Sequence, residues 1–261
     1  MVDSPVLKAT AILRRLAEHD TPVGVQQLAT ELNLNVSTVY RLLQLLASDG
    51  MASYDPQARV YSVGTECIRL ASRVLGSGSL IGRMRPRVSA LAARVEETCA
   101  LSLYDPDTFT KIVAVVERGP HLLGYNYEVG TRDGIHAGAS GKAILAFLPD
   151  ADIDRVLKSL LPRLTEATVV DPTELRRQIR QIRKRGYATS RGERVPGSGF
   201  GVAAPVFGFQ RQVIGSVVVT IPPFRWRNER LATIGKELIN SARELSGLSD
   251  PALTAKVGGA A

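Results

Sequence analysis

Residues 25–51 read VQQLATELNLNVSTVYRLLQLLASDGM, and the fold turns on how this stretch is understood. Val25, Leu28, Ala29 and Leu32 form one face of a short helix, and a leucine-rich helix follows from Val36 to Ser48, stopped by Asp49-Gly50. Between them stands only Asn33-Leu34-Asn35. Two helices that cross closely need a small residue in the first, a residue tolerant of a left-handed backbone at the turn, and an apolar anchor in the second. Ala29, Asn33 and Val39 occupy those places, and Asn is among the few side chains that accept that backbone. At about 100° per residue, Val39, Leu43 and Leu46 cluster on one side with Leu42 beside them. The opposite side carries Ser37, Arg41, Gln44 and Ser48, with Tyr40 on its flank.

That polar stripe has the chemistry of a major-groove reader. Arg41 can donate to guanine O6 and N7, and Gln44 can pair with adenine through both ends of its amide. Ser37 and Thr38 lie in the first turn, where hydroxyls and free backbone N–H groups suit phosphates. A polar helix face alone would be bland, since most are simply wet. The spacing, the short turn and what surrounds them make it specific. Upstream, Ala9, Ile12, Leu13, Leu16 and Ala17 recur with helical periodicity. Downstream, MASYDPQARVYSVG (51–64) predicts a β-hairpin about Asp55-Pro56, with Tyr54 and Tyr61 as an aromatic pair. A hairpin after the third helix makes a winged helix, and Arg59 beside its turn is either a phosphate or minor-groove contact or a solvated side chain.

The remaining sequence predicts a second domain. TECIRLASRVL (65–75) is a helix, and GSGS (76–79) is the clearest break in the chain. An amphipathic helix over 86–99 places Pro86 in its first turn. Strands are expected in ALSLYD, KIVAVVERG, LLGYNYEVG, GVAAPVF and QVIGSVVVTI. Helices are expected at SGKAILAFLP, near 152–160, at 173–185 and at 228–245. Hairpin-like strand neighbours with helices grouped between them indicate an α/β (α+β) domain with a largely antiparallel sheet. The expected boundaries are 1–64 for the winged helix-turn-helix, 65–79 for a linker and dimerisation helix, 80–250 for the second domain, and 251–261 for a disordered tail.

Composition narrows the classes. The formal charge is +8, yet residues 1–79 hold seven basic and seven acidic side chains, so the whole excess lies beyond them. Its densest part, ELRRQIRQIRKRGY (174–187), has Leu175, Ile179 and Ile182 at helical spacing and reads as a solvated face rather than a phosphate grip. No apolar run approaches the ~20 residues of a membrane span, and no signal peptide is apparent. Cys67 and Cys99 have no metal-like spacing; two thiols fit a reduced cytoplasm, or one disulfide. An enzyme is disfavoured. GASGKA fails the phosphate-loop pattern, with His136 at the first glycine position and Ala143 for the Ser/Thr, and Lys142 breaks the nucleophile-elbow pattern. His19, His121 and His136 are scattered. No metal or cofactor is expected.

Six motifs in order carry a resemblance: LKATAILRRLAE (7–18), LATELNLNVSTVYRLLQLLASDGM (28–51), YSVG (61–64), HAGASGKAILAFLP (136–149), RGYATSRGERVPGSGFGVAAPVF (185–207) and IGSVVVTIPPFR (214–225). Over roughly residues 4–248 the chain resembles the IclR family of bacterial transcriptional regulators. The resemblance implies an N-terminal winged helix, a linker helix that helps dimerise, and a C-terminal effector-binding domain with a curved antiparallel sheet and flanking helices. Its implied partners are palindromic double-stranded operator DNA, a small organic acid or related catabolite as effector, and a second copy in a homodimer or a tetramer.

On residues alone, the small side chains of GIHAGASG (134–141) either let a ligand approach a helix start or let the loop pass under the sheet with Ser140 as a cap. The resemblance implies the first. By it, Ala139 and Ser140 match the anion-contacting loop, Glu193 a pocket acid, and Gly201, Val218 and Thr220 the facing strands. Gly201 stands where many members have cysteine, and Val218 where some have serine, so a roomier and less polar pocket is expected. Tyr125 and Tyr127, alternating on one strand face, either stack on an aromatic ligand or belong to core or surface. Family members often carry a basic residue where Val36 stands, so affinity per half-site should be modest and two-fold binding needed. The alternative reading is a DNA-binding regulator whose C-terminal domain only dimerises.

Overall fold

In the computed structural model of the protein, the residues described are 4–125, 127–197 and 199–248. The chain divides between Gly76 and Ser77 into two compact units. The predicted tail at 251–261 lies outside the described residues.

The first unit holds α1 (Pro5–Glu18), α2 (Val25–Leu32), α3 (Val36–Ser48), the hairpin β1 (Ala52–Asp55) and β2 (Val60–Val63), and α4 (Thr65–Leu75). Ile12, Leu16, Leu28, Ala29, Val39, Leu42 and Leu43 make its core, closed by Val23, Ala52 and Tyr61. Asn33 sits in the left-handed region at φ 51°, ψ 49°, and its turn lets Leu34 N donate to Ala29 O at 2.9 Å. Val23 and Tyr61 exchange both backbone bonds at 2.8 Å, so the α1–α2 connection adds a third strand-like bridge to the wing. The hairpin register pairs Tyr54 with Tyr61, ring centroids 4.7 Å apart.

In the second unit, a six-stranded antiparallel sheet runs in the order β5-β4-β3-β8-β7-β6. The strands are β3 (Thr98–Asp105), β4 (Thr110–Glu117), β5 (Arg132–Gly134), β6 (Ala188–Arg191), β7 (Phe200–Phe207) and β8 (Val213–Ile221). Their period-2 alternation builds two cores. Cys99, Leu101, Val202, Ala204, Val217 and Val219 pack under α5 (Leu80–Val95) and α9 (Leu231–Gly247). Ala100, Ala203 and Val218 face the helices α6 (Gly138–Leu145), α7 (Asp150–Lys158) and α8 (Pro172–Arg185). Small residues on that face, together with the all-buried α6, let a helix lie close on the sheet. Irregularities at Leu101/Ser102 and Val206/Phe207 bend the strands that carry them.

Several expectations are corrected. Pro86 is not in a first turn but inside α5, which starts six residues earlier because Ile81 and Met84 extend the buried face and Ser79 Oγ caps Gly82 N at 3.0 Å. The described residues of LLGYNYEVG form no strand. Its leucines, Leu122 and Leu123, are exposed, and β5, too short to show alternation in sequence, takes the sheet edge instead. α9 begins at Leu231, after two short 3-10 turns, rather than at Asn228. Cys67 and Cys99 are free thiols, so they form no disulfide. Leu175, Ile179 and Ile182 are the buried side of α8. Among the described residues no helix is long and apolar enough to cross a membrane.

One glycine is dictated by close approach. A Cβ at Gly64, where the wing meets α4, would stand 2.0 Å from Gly50 O, and Gly64 N donates to Met51 O at 2.8 Å. Gly64→Ala should therefore destabilise the first unit by about 3 kcal/mol. Hydrogen exchange should accelerate over the amides of α3 and leave those of β3 and β8 unchanged; protected α3 amides in the variant would show that the wing junction is not holding the unit.

Candidate nucleic-acid interface and effector pocket

α3 presents its two sides as the helical pitch requires. Val39, Leu42 and Leu43 are buried, whereas Val36, Ser37, Tyr40, Arg41, Gln44 and Leu45 are exposed and Thr38 is half-buried. Its N-cap, Asn35, makes no side-chain capping bond, so the first-turn N–H groups remain open to an external acceptor. No ion pair engages Arg41 among the described residues, and the same holds for Arg59. The latter leaves the wing turn at φ 57°, after Asp55 Oδ1 has tied that turn by accepting from Gln57 N and Ala58 N. Gln44 differs from the sequence expectation. Its Nε2 donates to Tyr61 Oη at 2.8 Å, which anchors α3 to the wing. Pairing with adenine through both ends of the amide would have to share or break that bond. Burial pushes the Tyr61 phenol up, the Gln44 bond opposing, so the hydroxyl is present as a neutral partner.

The second site lies where α6 starts against the sheet. Tyr125, Tyr127, Ala139, Ser140, Glu193, Gly201, Val218 and Thr220 all line one cavity. Tyr125 and Tyr127 reach it from an irregular segment, across position 126, which is outside the described residues; their rings still lie 4.8 Å apart. Tyr127 Oη and Thr220 Oγ1 are hydrogen-bonded at 2.8 Å, and burial pushes the phenol up to about 12. Ser140 Oγ bonds Ser216 Oγ at 2.7 Å, behind the loop. A Cβ on Gly201 would stand 2.9 Å from Ser190 Oγ and 3.1 Å from Ala139 Cβ, so a larger side chain such as cysteine could not be placed here unchanged.

The cavity they line is small. Its volume is about 30 Å³, and Tyr125, Tyr127 and the charged side chains of Glu193 and Arg194 are part of its lining. Glu193 accepts from Gly138 N at 3.0 Å and from Lys142 Nζ at 2.5 Å, and Lys142 also donates to Gln178 Oε1. Ser190 Oγ accepts from Ala139 N at 2.9 Å. Beside them Asp133 Oδ2 receives both Lys111 Nζ, at 3.0 Å, and Arg194 Nη2, at 2.7 Å. Lys111 and Lys142 are almost wholly buried. Burial pulls both ammonium groups below the ordinary lysine range, while Asp133 and Glu193 pull the other way. Sequence reading missed Lys111, Asp133, Ser190 and Arg194, and took Lys142 only as a break in enzyme motifs. They come from four separated segments, and no spacing rule joins them. Among the described residues no group of three or more His, Cys, Asp or Glu side chains is placed to hold a metal ion.

Both halves of the chain match family models: the IclR helix-turn-helix domain over residues 5–56, and the bacterial transcriptional regulator IclR C-terminal domain over residues 72–247. The chain belongs to the IclR family. It is a transcriptional regulator with a DNA-binding helix-turn-helix. It is 33% identical over 221 residues to the HTH-type transcriptional regulator BhcR of Paracoccus denitrificans, covering 84% of this chain and 78% of that one. An IclR transcriptional regulator from Alicyclobacillus acidocaldarius superposes with a TM-score of 0.86 at 27% identity, over 94% of this chain and 98% of the other. An IclR homologue from Microbacterium hydrocarbonoxydans, solved with 4-hydroxybenzoate, gives 0.78 at 21% identity over 94% and 99%, a likeness of fold.

The buried pair makes a stability prediction. Lys142→Met would leave Glu193 charged and buried with Gly138 N as its remaining donor, and should cost the second unit about 3–5 kcal/mol in urea unfolding. Lys142→Met with Glu193→Gln should recover most of that loss. A single variant as stable as the wild type would mean the pair does not hold α6 to the 192–197 loop.

Proposed function

We propose that two copies of this chain bind a palindromic operator, α3 of each reading one half-site, and that a small carboxylate acts through the cavity at the start of α6. The observation that carries the DNA half is the exposed, unpaired Arg41 opposite the packed face of α3. Ser37 and Thr38 are proposed to hold phosphates, Tyr40 and Arg41 to meet base edges, and Arg59 to meet phosphate or minor groove. Gln44 is proposed to position the helix through Tyr61 as well as to face DNA. α4 supports the two-fold arrangement: none of its residues is buried, and Ile68, Leu70, Val74 and Leu75 form an exposed apolar arc of the kind a partner helix covers. A dimer, or a tetramer built from dimers, follows from that reading. α4 is also the link through which effector binding is proposed to alter the operator affinity.

For the effector half, the support is the convergence of eight residues on one cavity, and the family includes the homologue solved with 4-hydroxybenzoate. A second reading, in which the C-terminal unit only dimerises and binds no small molecule, is favoured by one observation: the cavity is small, about 30 Å³.

Two experiments separate these readings. Arg41→Ala should abolish operator binding in a gel-shift titration while leaving the melting temperature and oligomeric state unchanged; wild-type affinity in the variant would sink the assignment of α3. A thermal-shift screen of the wild-type chain against central-metabolic and aromatic carboxylates should yield a stabilising compound. At 100 times its Kd the gain would be ~2.7 kcal/mol. No hit at all would favour the dimerisation-only reading, and a hit that leaves operator affinity untouched would remove the regulatory role proposed for the cavity.

A further inference from the structure

The first two backbone donors of α6 are already used inside the protein. Gly138 N is taken by Glu193 and Ala139 N by Ser190 Oγ. One nitrogen of Arg194 is left without a partner. Its Nε is buried and makes no hydrogen bond among the described residues, although Nη2 is held by Asp133. A buried N–H left without an acceptor costs free energy that a bound acceptor would recover.

Charge count points the same way. The cluster around the cavity contains three cations, Lys111, Lys142 and Arg194, against two carboxylates, Asp133 and Glu193. The neighbouring face of α8 does not restore balance. There Glu174 is held by Arg177, and Arg185, bonded to Tyr187 O and Thr189 Oγ1, adds another cation. Arg194, paired with Asp133 but 18% exposed, is the cation of the three that lines the cavity and can meet an anion there.

The surplus is also the movable member. Lys111 and Arg194 share one oxygen of Asp133, so Arg194 can turn away and leave Asp133 still paired. Its stem lies over Gly138, where a Cβ would come within 2.9 Å of Arg194 Cδ, and this places the guanidinium on the cavity wall beside Tyr125 and Tyr127. Swinging the guanidinium and the two rings outward would open the space that they now fill.

We propose that Arg194 is the residue that grips the effector, and that the effector carries a single negative charge, a monocarboxylate. This rests on the effector reading above and deepens it. One carboxylate balances the cluster, whereas a second would overcharge it.

The test is a thermal-shift and calorimetric comparison of wild type, Arg194→Gln and Arg194→Lys. Probes are pyruvate, benzoate and 4-hydroxybenzoate, their neutral amides, and the dianion succinate. At least one monocarboxylate should stabilise the wild type while its amide and succinate do not. Arg194→Gln should bind that acid roughly 10- to 100-fold more weakly, the loss expected for a charge-assisted bond, with Arg194→Lys between. Without ligand, Arg194→Gln should melt at or above the wild-type temperature, since it brings the cluster to balance; a fall of several degrees would make Arg194 a structural residue and overturn the proposal. An acid that binds wild type and Arg194→Gln equally, or succinate that binds as well as the monoacid, would overturn it while leaving the pocket reading intact. No binding of any probe to the wild type, with operator affinity indifferent to all of them, would remove the effector reading and this proposal together.

Discussion

The carboxylate of Glu193 is the constraint on which the α6 end of the second unit depends. It joins a loop between two strands to the first residue of α6, through Gly138 N, and to the middle of that helix, through Lys142. α6 is buried along its whole length, so its position cannot be fixed by an amphipathic stripe alone. A charged bond at its start and another one turn later set its depth against the sheet. The cost of burying both charges is offset only because the carboxylate has a backbone donor and the lysine a second acceptor in Gln178. The same carboxylate occupies the helix N-terminus, where a free anion would otherwise be favoured. A ligand at this end must therefore compete with Glu193 or use another donor, and the geometry of Arg194 supplies one.

A comparable tie operates in the first unit at lower cost. Tyr61, 1% exposed, touches three elements at once. Its backbone pairs with Val23, its ring lies against Tyr54, and its hydroxyl accepts from Gln44. The wing is thereby held to the connection after α1 and to α3. A helix that reads DNA must be held in orientation as well as exposed, and on α3 the buried Val39–Leu43 side and the Gln44–Tyr61 bond do this from two directions.

Legibility in the sequence followed the range of the interactions. The α2–turn–α3 unit was readable because its determinants lie within about twenty residues and obey one period: Ala29 small, Asn33 left-handed, Val39 buried. The large strands β3, β4, β7 and β8 were readable for the same reason. LLGYNYEVG misled because alternation in a segment flanked by glycines does not report burial, and the strand that pairs with β4 at the sheet edge has only three residues. The start of α5 misled because Pro86 fits a first turn and the preceding Gly-Ser run hid Ser79 as a cap. All eight pocket residues lie on one cavity, six of them located through family resemblance, yet the charged frame around them was invisible. Lys111, Asp133 and Arg194 are far apart in sequence, and each alone reads as an ordinary surface charge.

The distribution of charge ties the two units to different physics. The +8 excess belongs to residues beyond 79, and along α8 its arginines serve the fold. Arg176 pairs with Asp154 and Arg177 with Glu174, while Arg183 donates to Ala146 O and reaches Asp150. A charge already held by a carboxylate releases few counterions on meeting DNA, so this excess is a poor source of non-specific affinity. The first unit, neutral overall and lacking a basic side chain at Val36, offers few cations per half-site. Operator affinity in the proposed reading then depends on placing two weak half-site contacts at a fixed separation. Affinity that depends on separation can be changed by a small movement of one unit against the other in the dimer, without altering α3 at all. A ligand bound in the second unit can exert that control only to the extent that it binds one arrangement better than the other. In the proposed reading the two arrangements differ in whether Arg194 lies on Asp133 or has turned to the ligand.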